Sequence, residues 1–226
     1  MKKAIVLLSG GQDSTTCLYW AKANFDEVTA IGFDYGQKHR KELFQAKKIA
    51  EEMAKVPYII FPCAGLLGGS SLTDHHLNHN HSHEQNSNLP ASFTAGRNAL
   101  FLTVAASYGH KLGITDIVTG ICQTDYSGYP DCREEFINAM EMSLSLGIYG
   151  MYKGMVKIHT PLMYLTKAET FKLAKELGCL EIVLEHTMTD YNGNDHRNEW
   201  GMGKEDNPAS IIRAKGYREA KERGWV

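Results

Sequence analysis

The stretch Ser9-Gly10-Gly11-Gln12-Asp13-Ser14-Thr15, directly behind the apolar run Ala4-Ile5-Val6-Leu7-Leu8, constrains this chain most. A run of consecutive apolar residues between Lys3 and a glycine pair reads as a buried strand of a parallel sheet. Thr16-Cys17-Leu18-Tyr19-Trp20-Ala21 then opens an amphipathic helix, with Ser14 or Thr15 as its N-cap. Two glycines at a strand-to-helix turn let the backbone come close to a ligand, and the amides at the helix start point at an anion seated there. No Gly-Lys-Ser/Thr closes the stretch, so it is not a Walker loop. A plain glycine-rich turn between strand and helix has the same outline.

Further along, strand-like and helix-like stretches alternate. Val28 to Asp34 and Pro57 to Phe61 read as strands, with a helical apolar stripe from Glu42 to Lys55 between them. Asp116 to Gly120 and Val156 to Leu162 read as two more strands, and Arg133 to Leu146 as a helix. Thr166-Lys167-Ala168-Glu169 has the form of a capping box opening a helix to Leu177. This order predicts an α/β fold: a parallel five-stranded sheet with helices on both faces. The polar, strand-poor segment from about Leu184, with a final helix near residues 208–223, has too little apolar area to fold alone. It reads as a small C-terminal helical extension, dividing the chain into 1–183 and 184–226.

In open α/β sheets ligands gather beyond the carboxyl ends of the strands. Asp34, Tyr35 and Lys38 are therefore candidates for a nucleotide rim, and Asp34 is equally suited to capping the next helix. Arg97 opens an apolar helix running to about Lys111, where the helix dipole disfavours a cation. It asks for an anionic partner, either a phosphate or a local carboxylate. After the fourth strand, Gln123, Asp125, Tyr126, Ser127, Tyr129 and Asp131 are suited to reading the hydrogen-bonding edge of a flat heterocycle, although Gly128 and Pro130 would also hold a simple turn. Residues 62–96 are rich in Gly, Ser, Asn and His. Their run His75, His76, His79, His81, His83 is either a metal-binding tract or a solvated loop, and a loop of this length suits a lid.

A net charge of −2 over 226 residues gives no electrostatic case for nucleic acid or an anionic membrane, so a small substrate is expected. No apolar stretch approaches a membrane span, and the start of the chain does not read as a signal peptide, so a cytoplasmic location is expected. Cys17, Cys63, Cys122, Cys132 and Cys179 are scattered, without any Cys-x-x-Cys pair, which argues against a disulfide framework or a thiolate metal site.

Residues 9–14 resemble, at every defined position, the Ser-Gly-Gly-x-Asp-Ser signature of the PP-loop ATP pyrophosphatases. Those enzymes cleave ATP between its α- and β-phosphates to adenylate a substrate oxygen. Beyond this loop, the chain resembles the 7-cyano-7-deazaguanine synthase family over nearly its whole length. The resemblance rests on Phe33-Asp34-Tyr35-Gly36-Gln37-Lys38-His39, Gly96-Arg97-Asn98, the run from Gly120 to Arg133, Thr160-Pro161-Leu162-Met163 and Lys167-Ala168-Glu169-Thr170. It implies ATP and Mg²⁺ as cofactors, 7-carboxy-7-deazaguanine and ammonia as substrates, and a homodimer. ATP would adenylate the carboxylate and ammonia displace AMP, giving the amide; a second ATP would activate the amide oxygen and leave the nitrile. The resemblance implies catalytic roles for Ser9, Asp13, Ser14, Arg97 and Lys167, with Asp13 acting through Mg²⁺. It implies nucleotide contacts from Leu8, Ser9, Gly10, Gly11, Gln12, Asp13, Ser14, Thr15, Asp34, Tyr35, Lys38, Arg97, Asn98 and Gly120, and substrate contacts from the Gln123–Asp131 loop.

The chain departs from that family in its last segment. The family carries four zinc cysteines there; Asp190, Lys204, Asn207 and Ser210 stand in the corresponding places, so zinc is not expected. An Asp190–Lys204 ion pair with Trp200 as a packed anchor is expected to replace it. His186, His196, Asp190 and Asp195 are the alternative metal set, although their spacing matches no common pattern. A remodelled pocket wall would stop the reaction at the amide, so amide formation is the firmer expectation. Rival readings are a PP-loop ligase with another acceptor, such as a tRNA-thiolating enzyme, and a nucleotide-binding module that has lost activity. Release of AMP and pyrophosphate dependent on a deazaguanine acid separates them.

Overall fold

The computed structural model describes residues 1–38, 40–74, 76–77, 82–83, 86–124, 128–150, 155–190 and 192–226. Five strands, β1 (Lys3–Leu7), β2 (Glu27–Asp34), β3 (Tyr58–Pro62), β6 (Asp116–Val118) and β7 (Lys157–His159), form one sheet in the order β3-β2-β1-β6-β7. All its neighbours pair in parallel, with Leu7 opposite Ile31, Val6 opposite Val118 and Val118 opposite His159. A two-residue β4 (Ser82–His83) and β5 (Asn86–Pro90) form a separate antiparallel pair inside the 62–96 segment.

Alternation along β1 assigns the two faces, because successive side chains of a strand point to opposite sides. Ala4, Val6 and Leu8 pack with Cys17, Leu18 and Ala21 of α1 (Gln12–Asn24). Ala46 of α2 (Lys41–Lys48) and Ile49, Ala50 and Ala54 of its continuation join them. Ile5 turns the other way, to Leu102, Ala105 and Ala106 of α3 (Arg97–Leu112) and Ile137 and Leu144 of α4 (Glu134–Tyr149). The expected fold class is thus observed: a five-stranded parallel sheet with helices on both faces. The chain lays β1, β2 and β3 outward in one direction, then returns to the other side of β1 for β6 and β7. That reversal opens a crevice beyond the carboxyl ends of β1 and β6.

Two local expectations are corrected. α1 starts at Gln12 with Gly11 as N-cap rather than Ser14 or Thr15, because the Ser14 hydroxyl turns back to Gly11 O at 3.2 Å instead of capping. A short helix α6 (Leu180–His186) follows α5 (Lys167–Glu176) where none was read, since seven residues show too little periodicity. The C-terminal helix α7 (Pro208–Glu222) packs on the helices before it: its Ala220 is buried with Ala168, Phe171 and Ala174 of α5 and Val183 of α6. The capping box at α5 forms as expected, Thr166 Oγ1 accepting from the Glu169 N–H and Glu169 from the Thr166 N–H. Among the described residues no helix is long and apolar enough to cross a membrane.

Phe171 is fully buried, with its ring edge-on to Tyr217 of α7 at 5.4 Å between centroids. Phe171→Ala is expected to cost about 3–5 kcal/mol in urea unfolding, the usual range for emptying a buried aromatic site. A negligible loss would mean that α7 does not dock on α5 in this way.

Candidate active site

The turn after β1 is held open by packing from three directions. Gly10 takes φ +88°, and a Cβ there would meet Glu42 O at 2.6 Å, so α2 lies directly behind it. Met188 N–H donates to Gly10 O at 3.0 Å, bringing the C-terminal segment onto the turn. Across the crevice Gly120, just past β6, comes so close that a Cβ would lie 3.1 Å from Asp13 C. Inside the turn, Ser9 N–H donates to Ser14 Oγ at 3.2 Å, the two hydroxyl oxygens are 3.0 Å apart, and Gly11 N–H donates to Ser9 Oγ at 3.4 Å. The first amides of α1 have no acceptor within the helix, the general feature that lets a helix start receive an anion.

Lys167, the first residue of α5, reaches this turn. Its Nζ donates to both carboxylate oxygens of Asp13, at 2.9 and 2.8 Å. The ammonium is nearly covered and the carboxylate partly open. The side chains of Gln12 and Thr15 are buried, and among the described residues neither Gln12 Nε2, Gln12 Oε1 nor Thr15 Oγ1 has a hydrogen-bond partner. Leu8 contributes its side chain to the core, and its carbonyl accepts from Tyr58 Oη at 3.2 Å.

Arg97 answers its own question. Its guanidinium acts on Glu42, Tyr35 and Asp131 together: burial pushes each of these groups upward and Arg97 draws each back. Arg97 therefore lies within electrostatic reach of both carboxyls and of the Tyr35 hydroxyl. For Glu42 the net result is a carboxyl pushed up to about 7. One acid in a charged amphipathic helix carries no distinguishing pattern, so nothing in the sequence singles out Glu42. Its carbonyl lies behind Gly10, and Arg97 at the start of α3 acts on its carboxyl.

Other expected residues take more structural positions. Asp34 pairs with Arg40 at 3.0 Å and accepts from Gly36 N–H at 3.4 Å, and it does not cap α2, whose N-cap is Arg40. Lys38 Nζ donates to Leu77 O at 3.1 Å, tying the rim to the 62–96 segment. A cavity of about 450 Å³ opens between Tyr35 and that segment, lined also by Gly36, Thr73, Asp74 and His76. Asn98 Nδ2 donates to Asp131 O at 3.2 Å; Gln123 Oε1 accepts from Glu134 N–H at 3.2 Å, at the start of α4; and Tyr129 Oη lies 2.6 Å from Ser92 Oγ. Asp125, Tyr126 and Ser127 lie outside the described residues, as do His75, His79 and His81. All five cysteines are free; burial pushes the Cys132 and Cys179 thiols up to about 12, which leaves them unreactive at neutral pH.

Asp190, Lys204, Asn207 and Ser210 do come together, but not through the expected ion pair. Asp190 Oδ2 accepts from the backbone N–H of Lys204 at 2.9 Å and from Ser210 Oγ at 3.0 Å. Oδ1 accepts from Asn192 N–H at 2.7 Å and Asn194 N–H at 3.5 Å. Asn207 Oδ1 caps α7 through Ser210 N–H at 3.1 Å. Lys204 thus supplies its amide, and its exposed side chain takes no part in the knot, because Asp190 is buried beneath the turn where an amide reaches it directly. Burial works against ionisation of Asp190, but these donors outweigh it and hold its carboxyl below the usual range. Trp200 is buried, as expected of an anchor. Among the described residues no group of three or more His, Cys, Asp or Glu could hold a metal, the His186, His196, Asp190, Asp195 set included.

A parallel sheet with an anion-accepting glycine turn at its switch point places the chain among α/β nucleotide-binding proteins. The model of the family described as Queuosine biosynthesis protein QueC matches residues 3–221, and the chain belongs to that family. It is 48% identical to a 7-cyano-7-deazaguanine synthase of Wolinella succinogenes, over 96% of this chain and 92% of that protein. It is 44% identical to one of Helicobacter pylori, over 96% of each. Among solved structures, an NMN synthetase from Francisella tularensis superposes with a TM-score of 0.46 at 15% identity, over 98% of this chain and 86% of that one, a likeness too slight to bear on function.

The Glu42 carboxyl predicts a pH effect of definite sign. Its unfolded value is near 4.5 and its folded value near 7, so between them the unfolded chain has released a proton that the folded chain still holds. Stability should fall as pH rises through that window. Glu42→Gln should abolish that part of the fall, read as the urea midpoint at stepped pH. A parallel pH profile in both proteins would mean that burial does not hold the Glu42 carboxyl up in the folded chain.

Proposed function

We propose that this protein is a 7-cyano-7-deazaguanine synthase that uses ATP to activate the carboxylate of 7-carboxy-7-deazaguanine, with ammonia as the nitrogen source. The observation that carries the reading is the Lys167–Asp13 pair set on an open glycine turn, in a chain belonging to this family along nearly its full length. A carboxylate becomes an electrophile only when its oxygen is made a leaving group. Attack of that oxygen on the α-phosphorus expels pyrophosphate, so the protein's task is alignment and stabilisation of the departing charge. The amides of the turn, with Ser9, Ser14 and Thr15, would receive the diphosphate, and Lys167 and Arg97 would supply positive charge. The substrate carboxylate is already ionised at neutral pH, so the first stage asks for no base. Asp13 would be the residue to hold a Mg²⁺ brought by the phosphates, in exchange for part of its bonding to Lys167, and the cation would supply further neutralisation of the departing charge.

The relatives' name is that of the nitrile product, so nothing in them favours stopping at the amide. In the second stage the same turn would accept a second pyrophosphate while the amide oxygen is adenylated and AMP eliminated. Residues 1–183 would then hold the nucleotide and 184–226 close over the turn. A cytoplasmic homodimer belongs to the same reading. Incubation with the carboxylate, ammonia and ATP should yield the nitrile, with one AMP and one pyrophosphate released at each stage; accumulation of amide alone would refute the full reaction. Lys167→Met should lower kcat/KM for ATP by about 10²-fold, the scale of losing one donor to developing charge.

The last segment does not suit zinc. Its candidate ligands are an amide, a hydroxyl, a lysine and a single carboxylate whose oxygens are already taken by four donors. We infer that the Asp190 knot does the structural work instead. Asp190→Ala should cost about 3 kcal/mol or more, since it strips a charged acceptor from several buried donors. Because the folded Asp190 value is depressed, its stabilisation is complete at neutral pH and disappears as pH falls below the usual carboxylate value of 3.8. Chelators should leave the Tm unchanged, and one tightly held zinc per chain would overturn this inference.

A further inference from the structure

Among the described residues Arg213 of α7 is the largest side chain wholly withdrawn from solvent, and the proposed chemistry gives it no task. Its Nε donates to Trp200 O at 3.0 Å, and its two terminal nitrogens donate to Thr189 Oγ1 at 2.9 Å, Thr187 O at 3.4 Å and Val183 O at 2.8 Å. The guanidinium fills the space a Cβ at Gly201 would take, 2.1 Å from Nη2. All four acceptors are neutral, and among the described residues no carboxylate bonds it. Burial draws it down to about 10, so it is still charged at neutral pH, and the one ionised group whose field supports that charge is Asp13. A buried charge with only dipoles for partners is costly.

The atoms Arg213 holds are those that meet the glycine turn. Met188, between its acceptors Thr187 and Thr189, donates its N–H to Gly10 O. Met188 O and Thr189 Oγ1 stand 3.6 and 3.9 Å from where a Cβ on Gly11 would lie. Beyond the turn, Lys167 already neutralises Asp13. α7 reaches that lysine as well, Gly216 lying so close that a Cβ would be 2.6 Å from Lys167 Cβ.

We propose that Arg213 is a positioning residue for the diphosphate: the C-terminal segment sets its buried charge behind the Gly10-Gly11 turn, where a bound polyphosphate supplies the counter-charge that the protein withholds. The proposal rests on the reading that this turn receives the phosphates of ATP. It gives the C-terminal segment a part in nucleotide binding without any of its side chains touching the nucleotide. Asp190 and Asn207 fix the start of α7, α7 presents Arg213, and Arg213 fixes the strand that braces Gly10.

The test uses the full chain, with inorganic pyrophosphate titrated by calorimetry and ATP and carboxylate kinetics measured in parallel. Arg213→Gln should weaken pyrophosphate binding roughly tenfold, the scale of one unit charge acting across a partly buried site, and raise KM for ATP in step. KM for the carboxylate should not move. Arg213→Lys keeps the charge while losing the fork, and should stay within about threefold of wild type. Arg218→Gln, at an exposed position on the same helix, is the control and should change nothing. Equal damage in the Gln and Lys variants, or a uniform loss in every constant, would show a structural role and overturn the proposal. If Arg213→Gln does not fold, Arg213→Lys decides: affinity near wild type supports the proposal, and a tenfold loss, well above the change expected from altered hydrogen bonding alone, overturns it. Wild-type protein that binds neither pyrophosphate nor ATP would remove the functional reading itself, whereas unaltered affinity in folded Arg213→Gln would remove only this inference.

Discussion

The structure depends on a short stretch of small residues being kept open by everything around it. A turn of serine and glycine has no side-chain bulk with which to hold its own shape, and glycine has the most conformational freedom to lose. Here the loss is met by neighbours: α2 behind Gly10, the residue after β6 against Asp13, and the C-terminal segment bonded to Gly10 O. Each of these comes from a different part of the chain. The open turn is therefore a property of the whole fold, and the sheet's reversal at β1 is what brings the three braces to one place.

Charge around the crevice is arranged in internally neutralised groups with positive charge to spare. Asp13 is matched by Lys167, and Arg97 is shared among Glu42, Asp131 and Tyr35. Such pairs lower the cost of keeping cations together in a partly buried crevice. Arg213 differs: among the described residues its hydrogen-bond acceptors are all neutral.

Around Asp190 a buried carboxylate gathers the backbone amides of Asn192, Asn194 and Lys204 and the hydroxyl of Ser210. A backbone amide donates whatever its side chain, so Lys204 takes part without using its ammonium. Asn207 caps the helix that follows, and the segment is held together by hydrogen bonds that start from one carboxylate.

How much could be read in advance follows from how local each interaction is. The apolar run, the glycine turn, the strand–helix alternation and the Thr166–Glu169 box are all encoded within a few residues, and each stands where the sequence put it. Family-like motifs marked Asp13, Arg97 and Lys167. Hydrogen-bonding capacity does not say which protein partner will be near: Gln123 meets α4's first amide and Asp34 meets Arg40. Glu42 carried no signal, since an acid in a charged helix is ordinary, and nothing local marked Arg213, followed by Ala214, as a side chain that would be buried.

The sequence by itself determined the order and type of the main elements and the chemistry available at the turn, because periodicity and backbone preference act over short range. Tertiary structure alone decided which charges are paired, which are buried and which brace the turn. Burial and electrostatic coupling depend on contacts between segments more than a hundred residues apart, as between Asp13 and Lys167 or Gly10 and Met188, and no local pattern records them.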